Sequence, residues 1–300
     1  MAIQWFPGHM VRAISDIKDL ISDIDIVIEV LDARAPFSSC NPLLQDIIKY
    51  KKIIRLLNKS DLADDTLTRE WIEYFSNSKQ TVAITGDMSN TKQRSQIIKL
   101  CKSLAPHRNS FEKPLRVMIS GIPNVGKSTL INQLIGKKSA KTGDIPAVTK
   151  ANQCLTIADD FLIYDTPGLT WQKIHYPQIG YHLAICNSIG RNALDEDLVA
   201  LYLINYLKIQ HPLFLQTRYK LSVEQISLAD DVILDTIGSK RGCIMAGGII
   251  NRQRVEEIII QDFRDGRMGK ISLETPKMWE EWISEATAES EAQISNDTSL

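Results

Sequence analysis

Short runs of apolar residues recur through the first half of the chain. They are separated by stretches in which apolar positions fall three and four apart. Residues 24–31 (IDIVIEVL), 53–57 and 115–120 read as buried strands, and 80–84, 154–157 and 161–164 as three more. Between them, 42–50 carries Leu43, Leu44, Ile47 and Ile48, and 66–75 carries Leu67, Trp71, Ile72 and Phe75, both at helical spacing. Strands alternating with amphipathic helices predict an α/β fold with a mostly parallel sheet. After about Trp171 the strand pattern fades. Residues 179–189, 194–209, 229–237 and 255–263 fit helices, with Gly238 and Gly266 where C-terminal caps belong. Residues 102–114, with Pro106 and Pro114, read as a loop inside the first domain. The expected organisation is a first domain over 1–175, a helical domain over 176–282, and a polar, acidic, disordered tail over 283–300.

Composition alters this picture little. The 300 residues are 44% hydrophobic and 24% charged, which suits a globular core. A formal net charge of −1 excludes a global field that gathers polyanions, so any basic surface is local. Cys40, Cys101, Cys154, Cys186 and Cys243 form no C-x-x-C pair, which points to reduced thiols and not to a disulfide frame or zinc site. No run approaches the roughly 18 apolar residues of a membrane span. The start, MAIQWFPGHM, lacks a targeting pattern. The expectation is an untargeted monomer of the bacterial cytoplasm, with no DNA and no membrane partner.

The chemistry is concentrated in four short segments. Gly121-Ile-Pro-Asn124-Val125-Gly126-Lys127-Ser128-Thr129 follows a predicted strand and opens a helical pattern, as a phosphate loop must. Gly121 and Gly126 let backbone N–H groups curl around phosphates, and the helix start adds its positive dipole end. Lys127 is placed for the β- and γ-phosphates, and the Ser128 hydroxyl for Mg²⁺. The competing reading, a chance glycine turn, does not explain the flanking strand and helix.

Asp165-Thr-Pro-Gly168 lies 38 residues after Lys127, at the end of an apolar run. Asp165 suits a water-mediated hold on Mg²⁺, and the Gly168 N–H suits a γ-phosphate sensor. Thr149, between the two motifs, is a candidate Mg²⁺ ligand on a loop, with an ordinary β-branched loop residue as the alternative. Asn58-Lys59-Ser60-Asp61 ends another strand. A carboxylate at Asp61 can accept from guanine N1–H and the 2-amino group, a donor pair that adenine lacks. Lys59 can lie along the base, and Thr85-Gly86 sits where a backbone N–H can touch guanine O6.

The order of these segments is unusual, because the base-recognition motif precedes the phosphate loop. A parallel sheet gathers its ligand loops at the strands' C-terminal edge, so moving the termini leaves the pocket intact. The reading is therefore a circularly permuted P-loop NTPase fold that binds GTP and Mg²⁺, followed by a smaller all-α domain. The Asp165–Gly168 segment then leads straight into the helical domain, giving nucleotide state a short route to it.

Together with Trp5-Phe-Pro-Gly-His9-Met10, Asp32-Ala-Arg-Ala-Pro36, Asn41-Pro42 and Lys240-Arg-Gly-Cys-Ile244, these segments resemble the circularly permuted GTPases of the YlqF/YawG family over about residues 1–278. The resemblance implies a GTPase that binds the immature large ribosomal subunit and its rRNA, promotes a late assembly step, and is stimulated by the ribosome. The chain departs from the family at Ala147, where glycine is usual, and in a loose Thr85-Gly86 loop.

Leu169 stands where Ras-type enzymes carry a water-orienting glutamine, so the catalytic group must lie elsewhere. His9, in a bend fixed by proline and glycine, is the candidate that the resemblance favours, against a merely packed histidine. The resemblance likewise implies that the Asn124 amide helps hold K⁺ beside the β–γ bridge, where positive charge substitutes for an arginine finger.

Residues 240–270 hold seven basic side chains (Lys240, Arg241, Arg252, Arg254, Arg264, Arg267, Lys270) against four acids. This local excess suits phosphate contacts, with a solvated helix face as the bland alternative. Two other function classes stay open: a protein-binding signalling switch without RNA contact, and a nucleotide-binding scaffold without useful turnover.

Overall fold

The computed structural model describes residues 8–87, 92–108, 110–136, 153–170, 174, 176–190 and 194–284, with backbone alone for 8–10. Its centre is a six-stranded sheet: β1 (Ile26–Asp32), β2 (Lys52–Asn58), β3 (Thr81–Gly86), β4 (Leu115–Ser120), β5 (Gln153–Ala158) and β6 (Phe161–Asp165), in the order β3-β2-β1-β4-β6-β5. Every neighbouring pair is parallel except β5 with β6. The expected α/β architecture and its mostly parallel sheet are thus present.

Strand alternation sorts side chains to two faces. Ile26, Ile28, Val30, Ile54, Leu56, Val117 and Ile119 pack with α3 (Asp65–Ser76), α4 (Gln93–Leu104) and α5 (Lys127–Ile135). Val27, Ile53 and Met118 pack with α1 (Gly8–Leu20) and α2 (Pro42–Ile48). Local chemistry sets the helix starts. Asn41 caps α2 ahead of Pro42, and the Asp64 carboxylate accepts from the Thr66 and Leu67 amides at α3.

The remaining helices are α6 (Pro177–Ile185), α7 (Glu196–Gln210), α8 (Pro212–Tyr219), α9 (Val223–Ile226), α10 (Asp230–Lys240) and α11 (Arg252–Arg264). Helices α7, α8, α10 and α11 enclose a second core of Val199, Leu203, Leu207, Leu215, Ile233, Ile237, Val255, Ile259 and Phe263. No single described helix is long and apolar enough to cross a membrane.

The periodicity does not announce α1, α4 or α8. Gly238 is also no cap. It lies inside α10, where a Cβ would come within 2.7 Å of Ile250 and Val255, so it is a close-packing glycine. Gly266, at φ +67°, does follow α11 as a left-handed cap.

Residues 271–274 form a strap between the two cores. The Ile271 N–H donates to Leu62 O (3.0 Å) and Leu273 N–H to Arg34 O (2.7 Å), while the Tyr206 hydroxyl donates to Ser272 O (2.6 Å). The chain then turns back over the first core, where the Trp279 ring stacks on Phe37 and meets the edge of Tyr176.

Candidate functional site

Because β1, β2, β3, β4 and β6 run parallel, the residues that end them share one edge: Asp32, Asn58, Gly86, Ser120 and Asp165. The base-recognition and phosphate segments meet there directly. The Asn58 amide donates from Nδ2 to Val125 O at 2.6 Å. Gly126, at φ +101°, lies so close that a Cβ would come within 2.1 Å of Asn58 Nδ2. Gly121 takes φ +145°, and a Cβ there would come within 2.4 Å of Val30 O. Only glycine fits either position, and both leave amides free to line an anion cradle.

Lys127 begins α5 and is buried. Its ammonium donates to Gly121 O (3.1 Å) and Ile122 O (2.7 Å). Burial draws it down to about 8, against the opposing pull of the Asp165 carboxylate. A desolvated cation held by two loop carbonyls at the start of a helix is placed to receive phosphate. Ser128 is half-buried beside it and Thr129 is exposed. Asp165 is buried, and the neighbouring Thr166 hydroxyl donates to Ile119 O (2.9 Å). Gly168 abuts the phosphate loop, since a Cβ there would come within 2.9 Å of Pro123 N. A hydroxyl and a carboxylate at one sheet edge are hard oxygen donors of the kind Mg²⁺ takes, so the residues fit that ion.

At the end of β2, both the backbone N–H and the hydroxyl of Ser60 donate to Gly86 O (3.2 and 3.1 Å), which joins the Asn58–Asp61 and Thr85-Gly86 segments. Gln93 braces the second segment by donating to Thr85 O (2.7 Å). Asp61 and Thr85 are exposed. Lys59 takes φ +60°, and its ammonium contacts Asp32 Oδ2 at 2.9 Å. Asp32 also forms a two-point pair with Arg34 (2.9 and 2.8 Å). Burial alone would push the Asp32 carboxyl up, but Arg34 and Lys59 outweigh it and hold it well below the usual carboxylate range.

Sequence reasoning gives Asp32 no role beyond the resemblance. The available signal is a carboxylate at the C-terminal end of a strand, in register with Asn58. Asp32→Asn should cost about 3 kcal/mol, because the buried Arg34 and the half-buried Lys59 lose their counter-charge. Urea unfolding measures this. The folded Asp32 is depressed, so its contribution is complete above about pH 4 and fades below it. The wild type should therefore lose stability more steeply than Asp32→Asn as pH falls through that range.

Asn124, at φ +59°, turns its Nδ2 to Asn187 O (2.7 Å), just past α6. Leu169 is buried with Ala13, Ile17 and Met118, which packs α1 against the Asp165–Gly168 segment. The backbone of His9 opens α1, but its side chain lies outside the described residues, as does Thr149.

Of the seven basic residues in 240–270, six hold internal partners. Arg264 donates to Ile185 O and Ala184 O (2.9 and 2.7 Å). Arg252 pairs with Asp235, and Lys270 with Asp65. Lys240, on the surface, donates to Lys220 O (2.6 Å). Arg241 and Arg267, with Arg218, converge on the buried Asp262 while keeping exposed surface. Arg254 and Arg267 line an adjacent cavity of about 700 Å³.

Comparisons with known proteins agree with the fold. A family profile described as "50S ribosome-binding GTPase" matches residues 116–208. The chain is 38% identical over 294 residues to a Bacillus cereus protein named ribosome biogenesis GTPase A, covering 94% of this chain and 97% of that one. It is 30% identical to the Thermotoga maritima protein of the same name, covering 92% and 95%. The crystal structure of GNP-bound YlqF from T. maritima superposes with a TM-score of 0.62 at 26% identity, covering 88% of this chain and 98% of that one.

Proposed function

We propose, from the premise that this chain belongs to the ribosome biogenesis GTPase A family, a mechanism in which its permuted sheet edge binds and hydrolyses GTP while its helical unit engages the large ribosomal subunit through rRNA phosphates. The chain is a GTPase that acts in ribosome assembly. The observation that carries the reading is the Asn58–Val125 hydrogen bond of 2.6 Å, which locks the guanine segment to the phosphate loop. No observation favours a signalling switch without RNA contact.

In this reading Asp61 accepts from guanine N1–H and the 2-amino group, Lys59 walls the base, and Thr85-Gly86 supplies a backbone donor to O6. The nest at Asn124, Val125 and Gly126 and the ammonium of Lys127 hold the phosphates. Ser128, Asp165 and Thr149 would hold Mg²⁺, which neutralises charge on the β- and γ-oxygens. Gly168 senses the γ-phosphate. Leu169 is committed to packing against α1, so water must be positioned by another group, and α1 carries His9 at its head. The Asn124 amide oxygen is assigned to K⁺. On the helical unit, Arg254 and Arg267, which line the cavity beside α11, are assigned to RNA phosphates together with Arg241, which is exposed although paired with Asp262.

Hydrolysis measured with and without large subunits in potassium buffer tests the whole reading. Added subunits should raise turnover at least tenfold, and replacing K⁺ by Na⁺ should lower it. His9→Ala should remove most of the stimulation while GTP affinity stays within about twofold. Equal loss of affinity and stimulation would make His9 structural, and turnover indifferent to subunits would sink the ribosomal assignment.

A further inference from the structure

Residues 33–41, between β1 and α2, are all buried although they form no helix or strand. A buried loop must satisfy its polar groups internally, and the partners it uses are informative. At one end, Asn41 directs both amide hydrogens to the segment after the γ-phosphate sensor, donating to Leu169 O (2.8 Å) and Thr170 O (3.0 Å). Its Oδ1 accepts from Leu43 N (3.0 Å), so the side chain is fixed from three sides. Leu169 N–H in turn reaches Gly121 O of the phosphate loop (3.4 Å).

At the other end, the Glu274 carboxylate accepts from Phe37 N (2.7 Å), Ser38 N (3.2 Å) and the Ser38 hydroxyl. Glu274 also meets His182 Nδ1 at 2.8 Å, and His182 Nε2 meets the Tyr202 hydroxyl of α7 at 2.9 Å. The two ends are one tight turn apart, closed by Cys40 N–H donating to Phe37 O (2.9 Å).

We propose that Asn41 is a positioning residue for the Asp165–Thr170 segment in GTP hydrolysis, and that Glu274 is the group through which the helical unit sets it. Any shift of Gly168 toward a γ-phosphate carries Leu169 and Thr170, and these either strain the Asn41 bonds or move the 33–41 turn. That turn is gripped by Glu274, so the displacement reaches His182 and α7. This route is separate from the covalent one through residues 171–176. It rests on the GTPase reading given above.

Asn41→Asp isolates the claim. It keeps an oxygen to cap α2 but replaces the two donors with a carboxylate facing two carbonyls. Association of the full chain with large subunits is compared in GDP and in a non-hydrolysable GTP analogue, alongside steady-state hydrolysis. The ratio of the two affinities should fall at least fivefold and kcat about tenfold, with KM and GDP affinity within about twofold. Glu274→Gln should lower the same ratio, and the double variant should be no worse than Asn41→Asp alone. Folded Asn41→Asp with the wild-type ratio and kcat overturns the proposal. Asn41→Ser, which caps but cannot reach the carbonyls, carries the same test if Asn41→Asp does not fold. A wild type indifferent to nucleotide would instead overturn the underlying switch reading.

Discussion

Asp61→Asn is expected to convert the protein from a guanine to a xanthine nucleotide binder. Asp61 offers two acceptors, matching the N1–H and 2-amino donors of guanine. An asparagine keeps one acceptor for N1–H and turns an NH₂ toward the 2-amino group, leaving two donors face to face. Loss of a charge-assisted bond together with an unpaired donor is worth about 3–4 kcal/mol, or roughly 10²–10³ in GTP affinity. Xanthine carries a carbonyl at that position, which the new NH₂ satisfies. Because Asp61 is exposed and makes no structural contact comparable with that of Asn58, the fold should be untouched. Competition binding with GTP, XTP and ATP measures the switch. An Asp61→Asn protein that still prefers GTP over XTP would remove Asp61 from the base site.

Gly126→Ala should abolish nucleotide binding and destabilise the fold as well. Its φ of +101° strains any residue with a Cβ, and that Cβ would overlap Asn58 Nδ2 at 2.1 Å. The strain costs about 1–2 kcal/mol. Displacing the Asn58 amide from Val125 O adds about 1–3 kcal/mol for a buried unpaired group. A total near 3 kcal/mol should lower Tm by roughly 6–12 °C for a chain of this size. The same substitution at Gly136, which has nothing within 4 Å, should cost only the backbone strain. The difference between the two alanines, read by thermal unfolding, measures the lock between the guanine segment and the phosphate loop. Equal Tm shifts would show that no such lock exists.

The sheet is legible in the sequence because its strands are short apolar runs closed by motif residues. The pattern bounds β4, for example, at Leu115 and Ser120, its structural limits. The phosphate loop and the Asn58–Asp61 segment are legible for a related reason, since ligand chemistry restricts residue types at fixed spacing. Helix α4 carries a helical stripe of Ile97, Leu100, Cys101 and Leu104 on the first core, but reading 102–114 as a proline-marked loop takes its last turn away and leaves too short a segment to stand out. Gly238 misleads because a glycine near a helix end reads as a cap unless its neighbour is known, and its neighbours Ile250 and Val255 come from beyond the helix. The Ser38, His182 and Glu274 cluster is invisible in principle. Its members are 144 and 92 residues apart, and lone polar residues at such distances carry no pattern. The strap at 271–274 has no signature for the same reason: its worth lies in what it touches.

The strand order also bears on how the chain is made. β1 sits mid-sheet and pairs with β4 through Ile26–Glu29 against Val117–Ser120. A ribosome translating this chain must add residues 33–114 before β4 exists, which takes several seconds at about 5–20 residues per second. For the part of that interval after β1 has left the exit tunnel, the strand, rich in isoleucine and valine, presents a bare edge. A factor devoted to building ribosomes is thus itself a demanding product of them, and its own synthesis creates a need for chaperone cover that an unpermuted order would place at a different strand.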